Sequence, residues 1–165
     1  MQKLIRSVAA IAVVGALLAT APSNAQAQGA ASGSIQATAV VAAGLAIAPL
    51  RNLDFGTVFP GLSSTVVETD ATSGHLRVLG AAGAEVQVTF PSLPGTLADG
   101  SGNDMVVSFT ATYNPTDQNG TGTSFDTGTG TTTTLDGTTG QLHVYVGGTV
   151  TAGDPQTAGN YSATV

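Results

Sequence analysis

Apolar and polar residues alternate with a period of two along most of this chain, the pattern of strands that pack one face and wet the other. Met105, Val107, Phe109, Ala111 and Tyr113 hold one phase of such a run, with mostly polar residues between them. Val86, Val88 and Phe90 alternate with Gln87 and Thr89, and Leu142, Val144 and Val146 with His143 and Tyr145. Tyr161, Ala163 and Val165 do the same with Ser162 and Thr164, and shorter runs lie at 53–58, 65–69 and 75–79. Turn-forming residues separate them: Pro60-Gly61, Ser73-Gly74, Gly80, Gly83, the stretches 91–95 and 99–102, and Asp154-Pro155. Short strands recurring at about ten residues predict an all-β chain folded as an immunoglobulin-like antiparallel β-sandwich. The expected core is Leu53, Phe55, Val86, Val88, Phe90, Met105, Val107, Phe109, Leu142, Val144 and Val146.

The longest alternation comes first. Ile35, Ala37, Ala39, Val41, Ala43, Leu45 and Ile47 share one phase, and fully extended the run would span roughly 43 Å. Most strands reach about half of that. Either the run is the domain's own first strand, bent at Gly44 to cross between sheets, or residues 35–43 leave the domain and pair elsewhere. In the second reading Ile35, Ala37, Ala39, Val41 and Ala43 form a donor strand, and Gly44 is its hinge, since glycine changes backbone direction at least cost. The small alanines suit a shallow groove, with Ile35 and Val41 as anchors.

Upstream of that run the chain reads as a secretory signal. Lys3 and Arg6 precede an apolar stretch at 8–19, then Pro22 and a small-residue site, Ala25-Gln26-Ala27, in the order that export signals follow. Cleavage after Ala27 is expected, with Ala25 the alternative. The apolar stretch is short of the ~20 residues a membrane span needs, and no later segment is more apolar. The organisation expected is therefore a signal peptide at 1–27, an extension or first strand at 28–44, and the β domain at 45–165. The location that follows is the periplasm, the outer cell surface or the extracellular space.

Removing the signal changes the charge. Of four basic residues only Arg51 and Arg77 remain against ten acids, a net charge of −8. Such a surface repels phosphate backbones, so nucleic acid is excluded as a partner. The chain has no cysteine, and its one lysine lies in the signal. Disulfides, thiol nucleophiles, Schiff-base lysines and cysteine-held zinc are thereby excluded from the mature chain. Residues 114–140 depart from the pattern. Only Phe125 and Leu135 are large and apolar there, so a long Gly/Thr-rich surface loop or irregular hairpin is expected, with little to contribute to folding.

The string Leu53-Asp54-Phe55-Gly56-Thr57-Val58, then Pro60-Gly61, Thr72-Ser73-Gly74 and the stretch 80–88, resembles a set of bacterial secreted domains, domain-of-unknown-function family 4402. Val146-Gly147-Gly148-Thr149 and Gly159-Asn160-Tyr161-Ser162 match its later elements. That family is similar to fimbrial subunits and spore-coat-U-like secreted proteins. The resemblance implies a pilin-like sandwich and assembly by donor-strand complementation, with self-association or other surface subunits as partners and a periplasmic chaperone in attendance. It brings no catalytic residues. Pilin-like domains run on past the G-x-Y element as a full strand, whereas this sequence stops four residues after Tyr161.

Few residues offer chemistry. His75 and His143 sit on the polar phase of their strands, where a metal site would arise only if the strands were neighbours; two solvent-facing histidines are the expectation carried forward. Glu68 and Asp70 share a strand face and read as solvated carboxylates rather than a catalytic pair. Asp99, Ser101 and Asn103 place oxygen side chains at alternate positions, but Asp104 stands where a calcium loop needs glycine and the later bidentate glutamate is missing. No catalytic, cofactor or metal residues are therefore assigned. The function expected is a non-enzymatic structural or adhesive surface subunit, with a monomeric carbohydrate- or surface-binding module as the alternative. A sugar site would need exposed aromatics, and only Tyr113 and Tyr145 qualify, the former on an apolar phase.

Overall fold

The computed structural model describes residues 44–165; the signal expected at 1–27 and the alternating residues 35–43 lie outside them. No helix occurs among the described residues, and all the strand pairings are antiparallel. In chain order the strands are β1 (Ala46–Arg51), β2 (Ser63–Val66), β3 (Gly74–Leu79), β4 (Glu85–Val88), β5 (Thr96–Ala98), β6 (Asp104–Asn114), β7 (Thr123–Phe125), β8 (Thr131–Thr134) and β9 (Gln141–Thr151).

Seven of them form one sheet around β9, in the order β1-β3-β9-β6-β5. One edge of β9 pairs with β6. Its other edge is shared end to end: β3 takes Gln141 to Val146, and β2 takes Gly148 to Thr151. The far edge of β6 is divided in the same way between β5 and β7. Where β2 and β6 flank β9 the chain carries Gly147 and Gly148. A Cβ on Gly147 would press on the main-chain oxygen of Val66, and one on Gly148 on that of Ser108. No side chain fits there without parting the strands, which gives the Gly-Gly pair a packing reason.

Leu142, Val144, Val146 and Val150 of β9 share a face with Met105, Val107 and Ala111 of β6, and all seven are buried. β4 and β8 form a separate two-stranded sheet that covers half of this face. There Val86, Val88, Phe90, Phe125 and Tyr113 close around Val78, Leu135, Leu142 and Val144. The other half is a second cluster, Leu97, Met105, Val107, Val150 and Ala152. Its partners Phe55, Val58 and Tyr161 come from outside the strands, and Phe109 comes from β6.

Several expectations change. Residues 53–58 form no strand, and the 161–165 run is reduced to one bridge, Ala98 to Ser162. Leu53, Phe55, Val86, Val88, Phe90 and Phe109 are half-buried rather than core. Ile47, in the apolar phase of the long alternation, is 66% exposed on β1, which pairs with β3 alone. Residues 114–140 supply β7 to the large sheet and β8 to the small one, and Leu135 is 2% exposed. Composition concealed this because threonine, though polar, is a good strand former, and main-chain pairing needs no apolar side chain.

Candidate functional site

A groove of about 610 Å³ opens beside the second cluster. Leu97, Met105, Phe109 and Val150 contribute to its lining from the strands; the irregular segments 53–60 and 156–165 supply the rest. Phe55 and Val58 reach in from the first segment, and Tyr161, Ala163 and Val165 line it from the second. The geometry follows from local chemistry. Asp54 turns the first segment by accepting the Gly56 N–H at 2.8 Å, and Ser64 donates its hydroxyl to the Phe55 carbonyl. Tyr161 fixes the second by donating its hydroxyl to the Thr157 carbonyl at 2.6 Å and accepting from Gln156 Nε2. Neither flank has a regular ladder of its own, apart from the Ala98 to Ser162 bridge. The arrangement offers apolar side-chain sockets between two lengths of main chain, which is what an added strand uses.

The opposite face of the large sheet holds a polar cluster. His75 and His143 are not solvent-facing, as the alternation implied, but 7% and 5% exposed. Their strands β3 and β9 are neighbours, and His75 Nε2 lies 2.9 Å from His143 Nδ1, one ring donating to the other. The His75 ring stacks on Tyr145, centroids 4.2 Å apart, and Tyr145 is 1% exposed. Residues 114–121 fold over this face. Thr112 donates its hydroxyl to the Gly120 carbonyl at 2.9 Å, and Gly120, at φ 79°, lies too close to the Glu68 carbonyl to carry a Cβ. The fold of this loop brings Asp117 to the cluster, where its Oδ1 accepts hydrogen bonds from the Tyr145 hydroxyl and the Asn119 N–H.

Burial holds both imidazoles below the usual histidine range, against the pull of Asp117 and with help from nearby positive charge: His143, Arg51 and Arg77 for His75, and Arg77 for His143. The Tyr145 hydrogen bond holds Asp117 below the usual carboxylate range, and burial with the Asp117 contact pushes the Tyr145 phenol up to about 12. Arg51 points its guanidinium at the Ser73 carbonyl and hydroxyl and the Asp70 carbonyl. Arg77, opposite His143 in the ladder, keeps a buried Nε with no acceptor.

The remaining sequence candidates part company. Glu68 and Asp70 follow the end of β2 and share no strand face; Asp70 Oδ2 accepts the Val67 N–H of its own turn. Both carboxylate oxygens of Asp99 are taken up by Ser101 and Asn103 within their turn. Tyr145 is sealed against His75, and half-buried Tyr113 packs on Phe125, so neither offers a sugar-stacking face. Gly44, the expected hinge, is exposed, with open space around a Cβ placed on it, while Ile35, Ala37, Ala39, Val41 and Ala43, the residues of the expected donor strand, lie outside the described residues. Asp117 and Arg51 escaped sequence reasoning: nothing local links an aspartate in a Gly/Thr-rich stretch to two distant histidines. No protein-family model matches the chain, and no curated protein or solved structure matches it either.

Proposed function

We propose that this chain is an exported structural or adhesive surface subunit that self-associates by strand complementation. The observation that carries the reading is the open groove lined by Leu97, Met105, Phe109 and Val150 and bordered by two segments that lack a regular strand partner. In this reading the two sheets are an immunoglobulin-like, pilin-like sandwich whose smaller layer covers only half of the larger one. Residues 35–43 of a second copy fill the remainder, with Ile35 and Val41 as anchors and Ala37, Ala39 and Ala43 in the shallow positions. The sugar-binding alternative lacks support once Tyr113 and Tyr145 are packed away.

The test is size-exclusion chromatography with light scattering, and negative-stain microscopy, on the exported chain and on Ala39→Asp. Wild type should form ladders or fibres, and the variant should stay folded as a monomer, because an unpaired carboxylate set against Leu97, Met105, Phe109 and Val150 is strongly unfavourable. A wild type that is monomeric at every concentration sinks the proposal in favour of a lone binding module. A variant that fails to fold assigns residues 35–43 to the domain's own first strand.

A further inference from the structure

The only two histidines of the chain converge on one cluster that strand complementation leaves unused. Three elements distant in sequence build it: β3 brings His75, β9 brings His143 and Tyr145, and the 114–121 loop brings Asp117. One ligand-capable atom from each of His75, His143 and Asp117 lies within 4.8 Å of the other two. We propose that these three residues bind a divalent transition-metal ion, represented by Zn2+, and that the ion clamps the 114–121 loop onto the sheet.

The distances suit such an ion. Zinc–imidazole bonds are about 2.0–2.1 Å, so two nitrogens 2.9 Å apart subtend about 90° at the metal, and parting them by about 0.4 Å gives the tetrahedral angle. Each imidazole coordinates as the neutral ligand, its N–H shifted to the outer nitrogen. The Tyr145 hydroxyl on Asp117 Oδ1 orients the carboxylate and leaves its other oxygen for the ion, the part outer-shell partners play in metal sites. Asp117 is exposed while the histidines are buried, so the site has an open side for entry.

Donor type selects the metal class. Calcium and magnesium take several oxygen ligands, and this cluster offers a single carboxylate beside two imidazoles. Imidazole lone pairs favour zinc, copper and nickel. Both histidines and Asp117 lie away from the groove lining, so this site and the assembly reading stand or fall separately.

The experiment uses the exported chain, expressed without a histidine tag and stripped with a chelator, titrated with Zn2+ in a calorimeter and followed by thermal melting. One Zn2+ per chain and a higher melting temperature are expected, with no response to Ca2+ or Mg2+. Asp117→Asn, a change at an exposed position, should weaken Zn2+ binding about tenfold or more. Because the chain has two histidines, their side-chain NMR signals read the wild type directly, and both should shift as Zn2+ is added. Absence of saturable binding, equal binding of Ca2+, or histidine signals that stay unmoved while Zn2+ binds would each overturn the proposal.

Discussion

Arg51 holds Ser73 by two hydrogen bonds, Nε to its main-chain oxygen at 2.6 Å and Nη2 to its hydroxyl at 2.8 Å, and so ties the turn before β3 to the end of β1. Ser73 is fully buried and its hydroxyl also donates to the Glu68 carbonyl. Removing the guanidinium leaves buried oxygen atoms short of donors. Arg51→Ala should therefore lower stability by about 1–3 kcal/mol, measured by urea unfolding, and Arg51→Lys should recover only part of it because one ammonium cannot reproduce the forked geometry.

Gly148→Val should prevent folding or cost at least about 3 kcal/mol, since the new side chain meets backbone rather than a movable group. The obstacle is the Ser108 carbonyl on β6. Circular dichroism of the purified variant checks this, and a native-like melt would mean that β6 and β9 have room to separate.

Replacing residues 116–134 with a Gly-Ser linker should abolish the folded state. The exchange removes β7 and β8, strips β4 of its partner and exposes the cluster around Leu135 and Leu142. A linker replacing only 127–129, between those strands, should shift the melting temperature slightly. Equal melting of both variants would show that β8 contributes nothing.

Leu142→Ala should cost about 3–5 kcal/mol, the upper part of the range for a large aliphatic truncated in a packed core; Leu142 is 0% exposed. Phe109→Ala should cost less in the monomer, because Phe109 lines the open groove and is half-buried. In an assembled sample the order should narrow, since an inserted strand would bury Phe109. Denaturant titrations of the two variants, as monomers and as assemblies, make the comparison.

Acid should loosen the turn that joins β8 to β9. Asp136 accepts the Thr138 and Thr139 N–H groups and the Thr139 hydroxyl, which hold its carboxyl below the usual value of 3.8. A carboxylate whose folded pKa is depressed contributes stability above its unfolded pKa and loses it as pH falls through the folded one. The melting temperature should therefore drop as pH is lowered from about 5 towards 2, and Asp136→Asn should flatten that dependence. An unchanged slope in the variant would remove Asp136 from the account.

Much of the fold was legible in period two. The runs through Met105, Val107 and Phe109 and through Leu142, Val144 and Val146 became β6 and β9, because a one-residue slip would carry each apolar set to the wrong face. The runs at 53–58 and 161–165 failed for a tertiary reason. They border the groove, and an alternating segment becomes a strand only where a neighbour accepts its main-chain hydrogen bonds. The threonine run at 131–134 succeeded for the converse reason, with β4 waiting opposite it.

The sequence alone therefore determined the class of structure and the chemistry withheld from it: alternation without helical periodicity makes strands, and residues 44–165, which hold no lysine or cysteine, cannot use side-chain amine or thiol catalysis. Only the tertiary structure decided what the two histidines are. Pattern assigns a residue to a face of its strand, but burial of that face depends on which distant segment folds over it. Here the 114–121 loop does so, through Gly120 on Glu68 and Asp117 on Tyr145, and contacts at such separation leave no periodic trace in the chain that makes them.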